Sequence, residues 1–450
     1  MGVFRLSRHS ATANSSRFYL FSSLILLVSV QNAFAQEGPL SVRGFSLPDE
    51  IASVRVEQFE TQFPDVQLDL QEGSLDQQQL LTAVASGNPP DVIYLSRDAL
   101  STFATRGAIT PLTECVESQS IDMSQYREAA VSQVTVNGEV YGIPEFFNTI
   151  VVMMNTATLE EVGLTVDDVD TSNWETLTQI NEQLTKLEDG NLSRIGFDPK
   201  IPEFFPLWVV ANGGEILSDD GRTAQLNTPE AIEALEFTVG LHEAAGGRQN
   251  FSAFRDTWDF FGANNQMAAD QLAVFPIEQW YVNVMAEVSP NAPLAIKAFT
   301  DRQGNPITFA TGSAWAIPRG AENIEAACVF MKTMTAPETW AAAATARADA
   351  RSAEGLPFTG VYTGNRVADE QIFNDIRQDS GNATFDDAVD AILSVQDQAF
   401  SVPANPAGAE FQQAWTDAVN RTLNGEQSAE EALNQAQEEA QAALDEAWQQ

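Results

Sequence analysis

The sequence predicts an α/β protein of two lobes joined by a hinge, and three observations carry that expectation. The chain has 450 residues, more than one core accommodates, since cores stop growing at about 250–300 residues. From residue 40 onward, short apolar runs alternate with helical periodicities, the pattern of a mostly parallel sheet covered by helices. The third observation is residues 140–155, Val-Tyr-Gly-Ile-Pro-Glu-Phe-Phe-Asn-Thr-Ile-Val-Val-Met-Met-Asn. Two apolar runs, 140–143 and 150–154, flank a knuckle of Pro144, Glu145, two aromatics, Asn148 and Thr149. Such runs read as buried strands, and Pro144 keeps their join from being a central ladder position. A strand that leaves one sheet, exposes a polar and aromatic knuckle and enters another is a hinge. One long strand with a bulge is the competing reading.

The elements follow in order. Residues 1–35 form a leader: Arg5, Arg8 and Arg17 precede an apolar stretch over 18–30, and Ala33-Phe34-Ala35 is a small-x-small cleavage site. Cleavage after Ala35 leaves Gln36 first. The apolar stretch has thirteen residues with three serines, short of the roughly 20 a membrane span needs. No Cys stands at the cleavage point to carry a lipid, and the expectation is an exported, soluble chain. A strand over 40–45 leads to a helix that tolerates Pro48 in its first turn, buries Ile51, Val54 and Phe59, and stops at Pro64. A strand over 66–70 follows. Ser74 and Gln77 resemble a capping box for a helix with Leu80, Leu81 and Val84 inside and Gly87 at its end. A strand over 91–95 and a helix over 100–106 closed by Gly107 complete this half.

Beyond the knuckle come a helix over 174–187, a strand over 194–197 and an aromatic helix over 204–212. Thr228-Pro229-Glu230 caps a helix to Ala245, with Ile232, Leu235, Val239 and Leu241 inside. Strands over 271–275 and 294–298 bracket a helix over 277–288. Residues 309–317 read as a second crossing, because the helix over 321–334 needs a sheet to cover. Gly355-Leu356-Pro357 marks a third crossing, after which the chain is almost entirely helical; the last helix, 428–450, buries Ala432, Leu433, Ala436, Ala440 and Leu444. The expected lobes are 36–148 with 310–356, and 149–309 with 357–450.

Net charge is −40, and −43 without the three arginines of the leader; only Lys186, Lys200, Lys297 and Lys332 are lysines. A surface of this sign repels nucleic acid and anionic membranes. Cys115 and Cys328, 213 residues apart, are either a bridge or two buried small residues. Two Cys with only His9 and His242 make a poor metal site.

In open α/β sheets ligands bind beyond the carboxyl ends of strands. That rule selects Ser46 and Leu47, Ser96 to Asp98, Glu145 to Asn148, and Pro276 to Trp280. These positions hold no glycine-rich phosphate loop, no Ser-His-Asp set and no metal-ligand spacing. They suit a neutral polyhydroxyl compound, gripped by planar hydrogen-bonding groups with aromatic faces against its C–H side. Phe146 and Phe147 alternate, so one faces the core and the other, taken as Phe147, the cleft. Trp208 and Trp258 fit a ligand wall or the core equally; Trp280, just past a strand end, faces ligand; Trp174 and Trp340, on amphipathic helices, face the core.

Nine phrases, in order, resemble the family 1 extracellular solute-binding proteins of ABC importers. They are Gly87-Asn-Pro-Pro-Asp-Val-Ile-Tyr-Leu, Tyr141-Gly-Ile-Pro, Asn155 with a helix ending Val162-Gly163-Leu164, Asn173-Trp-Glu-Thr-Leu, and Ala211-Asn-Gly-Gly-Glu-Ile-Leu. Asn227-Thr-Pro-Glu-Ala-Ile-Glu-Ala-Leu-Glu-Phe, Glu278-Gln-Trp, Gly312-Ser-Ala-Trp-Ala-Ile-Pro and Gly425-Glu-Gln-Ser-Ala-Glu-Glu-Ala-Leu complete the set. The resemblance, to maltose-binding members in layout, implies a periplasmic-binding-protein fold with a ligand cleft between its lobes. It also implies a periplasmic monomer that delivers a sugar to permease subunits, with no cofactor, no catalysis and no nucleic-acid partner.

Residue by residue, Asp98 matches a sugar-binding carboxylate after a first-lobe strand. Asn148 stands in the hinge where maltose binders use Glu. Glu203 matches a position often aromatic. Trp280 matches a stacking Trp, here preceded by Glu278-Gln279. Gly312 and Ser313 match the second hinge. Two other readings compete: a secreted glycoside hydrolase, which needs paired carboxyls about 5–10 Å apart such as Asp98, Glu203 or Glu278 could supply, and a binder of a cationic or polyol solute.

Overall fold

The computed structural model describes residues 38–449; the leader and its cleavage after Ala35 lie outside them. Two sheets organise the chain. The first has the order β2-β1-β3-β13-β6, with β1 (Leu40–Arg43), β2 (Leu68–Gln71), β3 (Val92–Ser96), β6 (Ile143–Pro144) and β13 (Ser313–Ala316). Its first three strands are parallel, and β13 is antiparallel to both β3 and β6. A small hairpin, β4 (Thr135–Val136) with β5 (Glu139–Val140), precedes β6. The second sheet has the order β14-β12-β11-β7-β10-β9-β8. Its members are β7 (Ile150–Asn155), β8 (Lys186–Glu188), β9 (Asn191–Phe197), β10 (Leu272–Glu278), β11 (Leu294–Thr300), β12 (Pro306–Phe309) and β14 (Ala399–Phe400).

The 140–155 stretch is not one strand. β6 belongs to the first sheet and β7 to the second, and the knuckle between them joins no ladder, pairing instead through single bridges, Phe146 to Thr363 and Asn148 to Thr311. The second crossing runs from β12 to β13, so Asn148 and Thr311 pair where the two crossings meet, by N–H to O distances of 2.9 and 3.1 Å. The expectation of a mostly parallel sheet fails for the second one. β7 is entered from the hinge and runs away from it, whereas β10 returns toward the hinge, and β7 is antiparallel to both β10 and β11. All six residues of β7 are buried, consistent with a central strand covered on both faces.

Local chemistry shapes the ends. The helix Gln77–Ser86 is capped by Asp76, whose Oδ1 accepts from the Gln79 amide at 2.9 Å, rather than by Ser74. The helix predicted over 174–187 ends at Leu184, because Lys186–Glu188 pairs as β8. Cys115 and Cys328 are disulfide-bonded, with Cα atoms 5.4 Å apart. Trp208 is fully buried, donates to the Pro199 carbonyl at 2.9 Å and packs edge-on against Phe299 and Phe197. Among the described residues no helix is long and apolar enough to cross a membrane.

Candidate functional site

A cavity of about 360 Å³ lies where strand ends of the two sheets face each other. The first sheet contributes through β3, which ends at Ser96. Its hydroxyl caps the helix Arg97–Thr105 by accepting from the Asp98 amide at 3.3 Å. Asp98 and Ser101 of that helix line the cavity, with Gln133 from the helix Glu128–Val134. The second sheet contributes Lys200, Glu203 and Phe204 beyond β9, Glu278 at the end of β10, and Phe309 with Thr311 at the second crossing. A third wall comes from the C-terminal region: the stretch 402–405, then Phe411, Gln412 and Trp415 of the helix Gly408–Leu423.

Arg97 also borders the cavity, yet its guanidinium is consumed by protein. Nε donates to Gln133 Oε1 at 2.8 Å, and the terminal nitrogens donate to the Phe146 and Thr311 carbonyls. Burial pushes its pKa down to about 10, so it stays charged at neutral pH. Its work is to tie the start of the helix to both crossings. Asp98 faces the cavity and accepts from Gln133 Nε2 at 3.0 Å. Burial raises its pKa; Arg97 and the Ser96 hydroxyl pull it down, and Glu278 pushes it up again. Glu278 accepts from Thr311 Oγ1 through one oxygen and from the Trp280 indole through the other, both at 3.0 Å. Glu203 is 51% exposed, with Lys200 Nζ at 3.8 Å.

Of the residues selected from the sequence, the cavity therefore collects Asp98, Glu203 and Glu278, one carboxylate from the first sheet's side and two from the second's. Trp280 stands one hydrogen bond behind Glu278. Asn148 acts through its backbone pairing with Thr311. Gly312 has φ +140° and no room for a β-carbon, which would lie 2.2 Å from the Phe146 carbonyl oxygen. It is a backbone necessity of the crossing, as is Ser313, whose carbonyl accepts from the Glu145 amide at 3.0 Å.

The others are corrected by their surroundings. Glu145 is fully buried in an ion pair with Arg55, whose guanidinium lies 3.9 Å from the centre of the Trp340 ring. Phe147 is fully buried with Arg97 and Arg127 over its faces, and the partly exposed partner of the alternation is Phe146. Trp208 is core. Trp258 packs beside Phe254 and Arg255, off the cavity. Ser46 accepts from the Gly73 amide at 2.9 Å in a separate hollow. The sequence reading missed the third wall. Its only signal was Pro403 and Pro406 around Asn405, a turn cluster inside a helical region.

Residues 55–363 match the family described as bacterial extracellular solute-binding protein. The chain belongs to that family. Among characterised relatives, an arabinooligosaccharide-binding protein of Halalkalibacterium halodurans is 26% identical over 172 residues, 37% of this chain and 37% of that protein. A maltooligosaccharide ABC transporter solute-binding lipoprotein of Streptococcus pneumoniae is 23% identical over 271 residues, 56% and 57% of the two chains. The matches thus span well under two thirds of either relative. A solved structure titled CpMnBP1 with mannotriose bound aligns at TM-score 0.72 and 22% identity, covering 90% of this chain and 100% of that one. This solute-binding protein has that two-lobe α/β fold.

Proposed function

We propose that this chain binds an oligosaccharide between its lobes, without turning it over, and delivers it from outside the membrane to the permease of an ABC importer. The observation that supports the reading is the division of labour in the cavity. Asp98, Glu203 and Glu278 offer acceptor oxygens to the cavity, and the largely buried Phe204, Phe309, Phe411 and Trp415 give its wall aromatic character. A ring of hydroxyls can donate to the first and lay its C–H face on the second. Asp98 and Glu278 reach the cavity from opposite lobes, so a ligand touching both favours the closed form over the open one. The names of the arabino- and maltooligosaccharide-binding relatives point the same way. Export with removal of residues 1–35, and action as a monomer in the periplasm, belong to the same proposal.

Titration calorimetry with arabino-, malto- and manno-oligosaccharides tests it, with chromatography of the ligand after hours of incubation. Saturable binding and an unchanged ligand are expected. Cleaved sugar released at enzymatic rates would instead identify a hydrolase. The facing carboxylates Asp98 and Glu278 favour a second reading, an amine-bearing solute. If amino sugars or polyamines bind and neutral sugars do not, that reading replaces the first.

A further inference from the structure

Arg97, Gln133 and Asp98 form a hydrogen-bonded chain whose direction is fixed. A guanidinium has donors and no acceptor. The terminal nitrogens of Arg97 are anchored on backbone carbonyls of the two crossings, those of Phe146, Thr311 and Ser313. Its Nε is left to meet Gln133, at 2.8 Å. A side-chain amide can turn either edge to a neighbour that both donates and accepts, and its orientation then follows from the network around it. Here one neighbour can only donate. The Gln133 oxygen must therefore face Arg97, which turns Nε2 toward Asp98, where it donates to Oδ1 at 3.0 Å. Gln133, on the helix Glu128–Val134, is only 4% exposed, so bulk water is kept from replacing either bond.

Asp98, by contrast, is exposed and lines the cavity. One of its oxygens is held by Gln133. The other, Oδ2, has the Ser96 hydroxyl at 3.5 Å, a contact too long to satisfy it. The charged groups around the carboxylate are Arg97 on its own helix, Glu278 at the end of β10, and Lys200 and Glu203 on the cavity wall beyond β9. A donor fixed on Oδ1 favours the charged, acceptor-only form of the carboxylate. A ligand atom that meets Oδ2 must then be a donor, a hydroxyl or an ammonium, and an ether oxygen is turned away.

We propose that Gln133 is a positioning residue: by carrying the donor character of Arg97 to Asp98, it holds that carboxylate as an acceptor and dictates that the ligand donates there. The proposal rests on the binding reading above, and its test has one arm with ligand and one without. Gln133→Glu keeps the shape and the acceptor for Arg97 but sets a carboxyl against Asp98, and two carboxyls in contact share a proton. While the pair holds that proton, the new carboxyl donates as the amide did; once it is lost, the two repel. With the malto-, arabino- or manno-oligosaccharide that binds the parent most tightly, this variant should lose affinity about three- to tenfold as pH rises through that titration. Gln133→Met, of similar length but with no donor, should behave oppositely. Asp98 then protonates more readily, so binding should fail on acidification at a higher pH than in the parent. The arm without ligand follows the side-chain carboxyl carbons of 13C-labelled aspartate by NMR, with the Asp98 signal assigned by its loss in Asp98→Asn. Its titration midpoint should rise in both variants. Variants that keep the parent's pH profile and midpoint would make Gln133 mere packing and overturn the proposal, while the saccharide reading stands. If the midpoints rise and no saccharide binds the parent, the saccharide reading falls alone. Should Gln133→Glu fail to fold, Gln133→Met decides by the same two measurements.

Discussion

Gly408 rests directly on the backbone of Asp98. A β-carbon at 408 would stand 3.1 Å from the Asp98 carbonyl oxygen, 3.2 Å from Thr102 Oγ1 and 3.3 Å from Ser101 Oγ. The contact ends a strap that leaves the second sheet at β14 and touches Ala129 and Ser132 through the Ser401 hydroxyl. Beyond Gly408 the Ala409 amide donates to Thr102 Oγ1 at 3.3 Å, and Glu410 pairs with Arg106. The strap therefore closes the third wall of the cavity onto the very helix that carries Asp98. Gly408→Val should hold it off. Overpacking of this kind costs about 1–3 kcal/mol, so affinity should fall roughly five- to hundredfold, and the radius of gyration with saturating ligand should exceed the parent's. Calorimetry and X-ray scattering measure both. Arg106→Ala should do far less, because an exposed ion pair contributes about 0–1 kcal/mol.

Glu145→Ala should damage folding and spare binding. Arg55 and Glu145 are both fully buried and paired, and Arg55 also donates to the Ile51 and Met334 carbonyls. Removing one partner strands a buried charge, at a cost of about 3–5 kcal/mol. Urea unfolding should show that loss, while the folded fraction keeps near-parental saccharide affinity. A variant that is stable but no longer binds would return Glu145 to the ligand site.

Glu145 also marks what the sequence can and cannot reveal. Alternation of apolar runs with helical periods exposed both lobes, and the polar knuckle exposed the crossing, because these signals are local. Which side of the knuckle meets ligand is not local. It depends on Arg55 arriving from ninety residues upstream to claim the carboxylate. Trp208 and Trp280 both sit in aromatic, helix-starting surroundings; only tertiary packing sends one into the core and the other to the rim. The direction of β7 followed from the hinge, not from its own residues. The strap over 399–408 has almost no periodicity, so its place over the cavity could not be read.

His242 should make stability depend on pH between about 4 and 6.5. The ring is buried against Phe251, and Nδ1 lies 3.2 Å from the Thr238 carbonyl. Burial lowers its pKa to about 4, against the upward pull of Asp198 and with the help of Arg255 and Arg248. The unfolded chain takes up this proton near pH 6.5. Across that window the unfolded state binds more protons, so stability rises with pH and is lost on acidification, by at most about 3 kcal/mol. Asp369, raised by burial to about 6, acts in the opposite sense, so the comparison must be a difference. His242→Gln should remove this contribution, so the parent-minus-variant difference in denaturant stability should rise with pH across this window. An unchanged slope would mean that the native ring titrates normally.

Breaking the Cys115–Cys328 bond should weaken the first lobe. The bond joins the helices Thr113–Ser118 and Ile324–Thr335 across 213 residues, and losing a native disulfide costs about 2–5 kcal/mol where the unfolded chain is thereby released. Paired Cys→Ser replacement should lower the melting temperature of the oxidised protein to that of the reduced parent. Equal melting temperatures for oxidised parent and variant would show that the bond adds nothing.

Asp98→Asn separates the two ligand classes. Asp98 faces the cavity with Gln133 on one oxygen and Glu278 near enough to raise its pKa, so its charge is held at a cost that a ligand can relieve. A neutral saccharide relieves it by donating a hydroxyl. The amide replacement keeps an acceptor and loses the charge assistance, so affinity should fall by about 1.5–3 kcal/mol at most. Binding of a neutral ligand should also change little between low and high salt. An amine-bearing ligand relieves it by charge. Its affinity for the parent should drop as salt rises, because screening shortens to about 3 Å at 1 M, and Asp98→Asn should remove most of that salt dependence. Calorimetry of parent and variant at two salt concentrations decides between them. A saccharide that binds Asp98→Asn as tightly as the parent, at both concentrations, would show that Asp98 lines the cavity without touching the ligand.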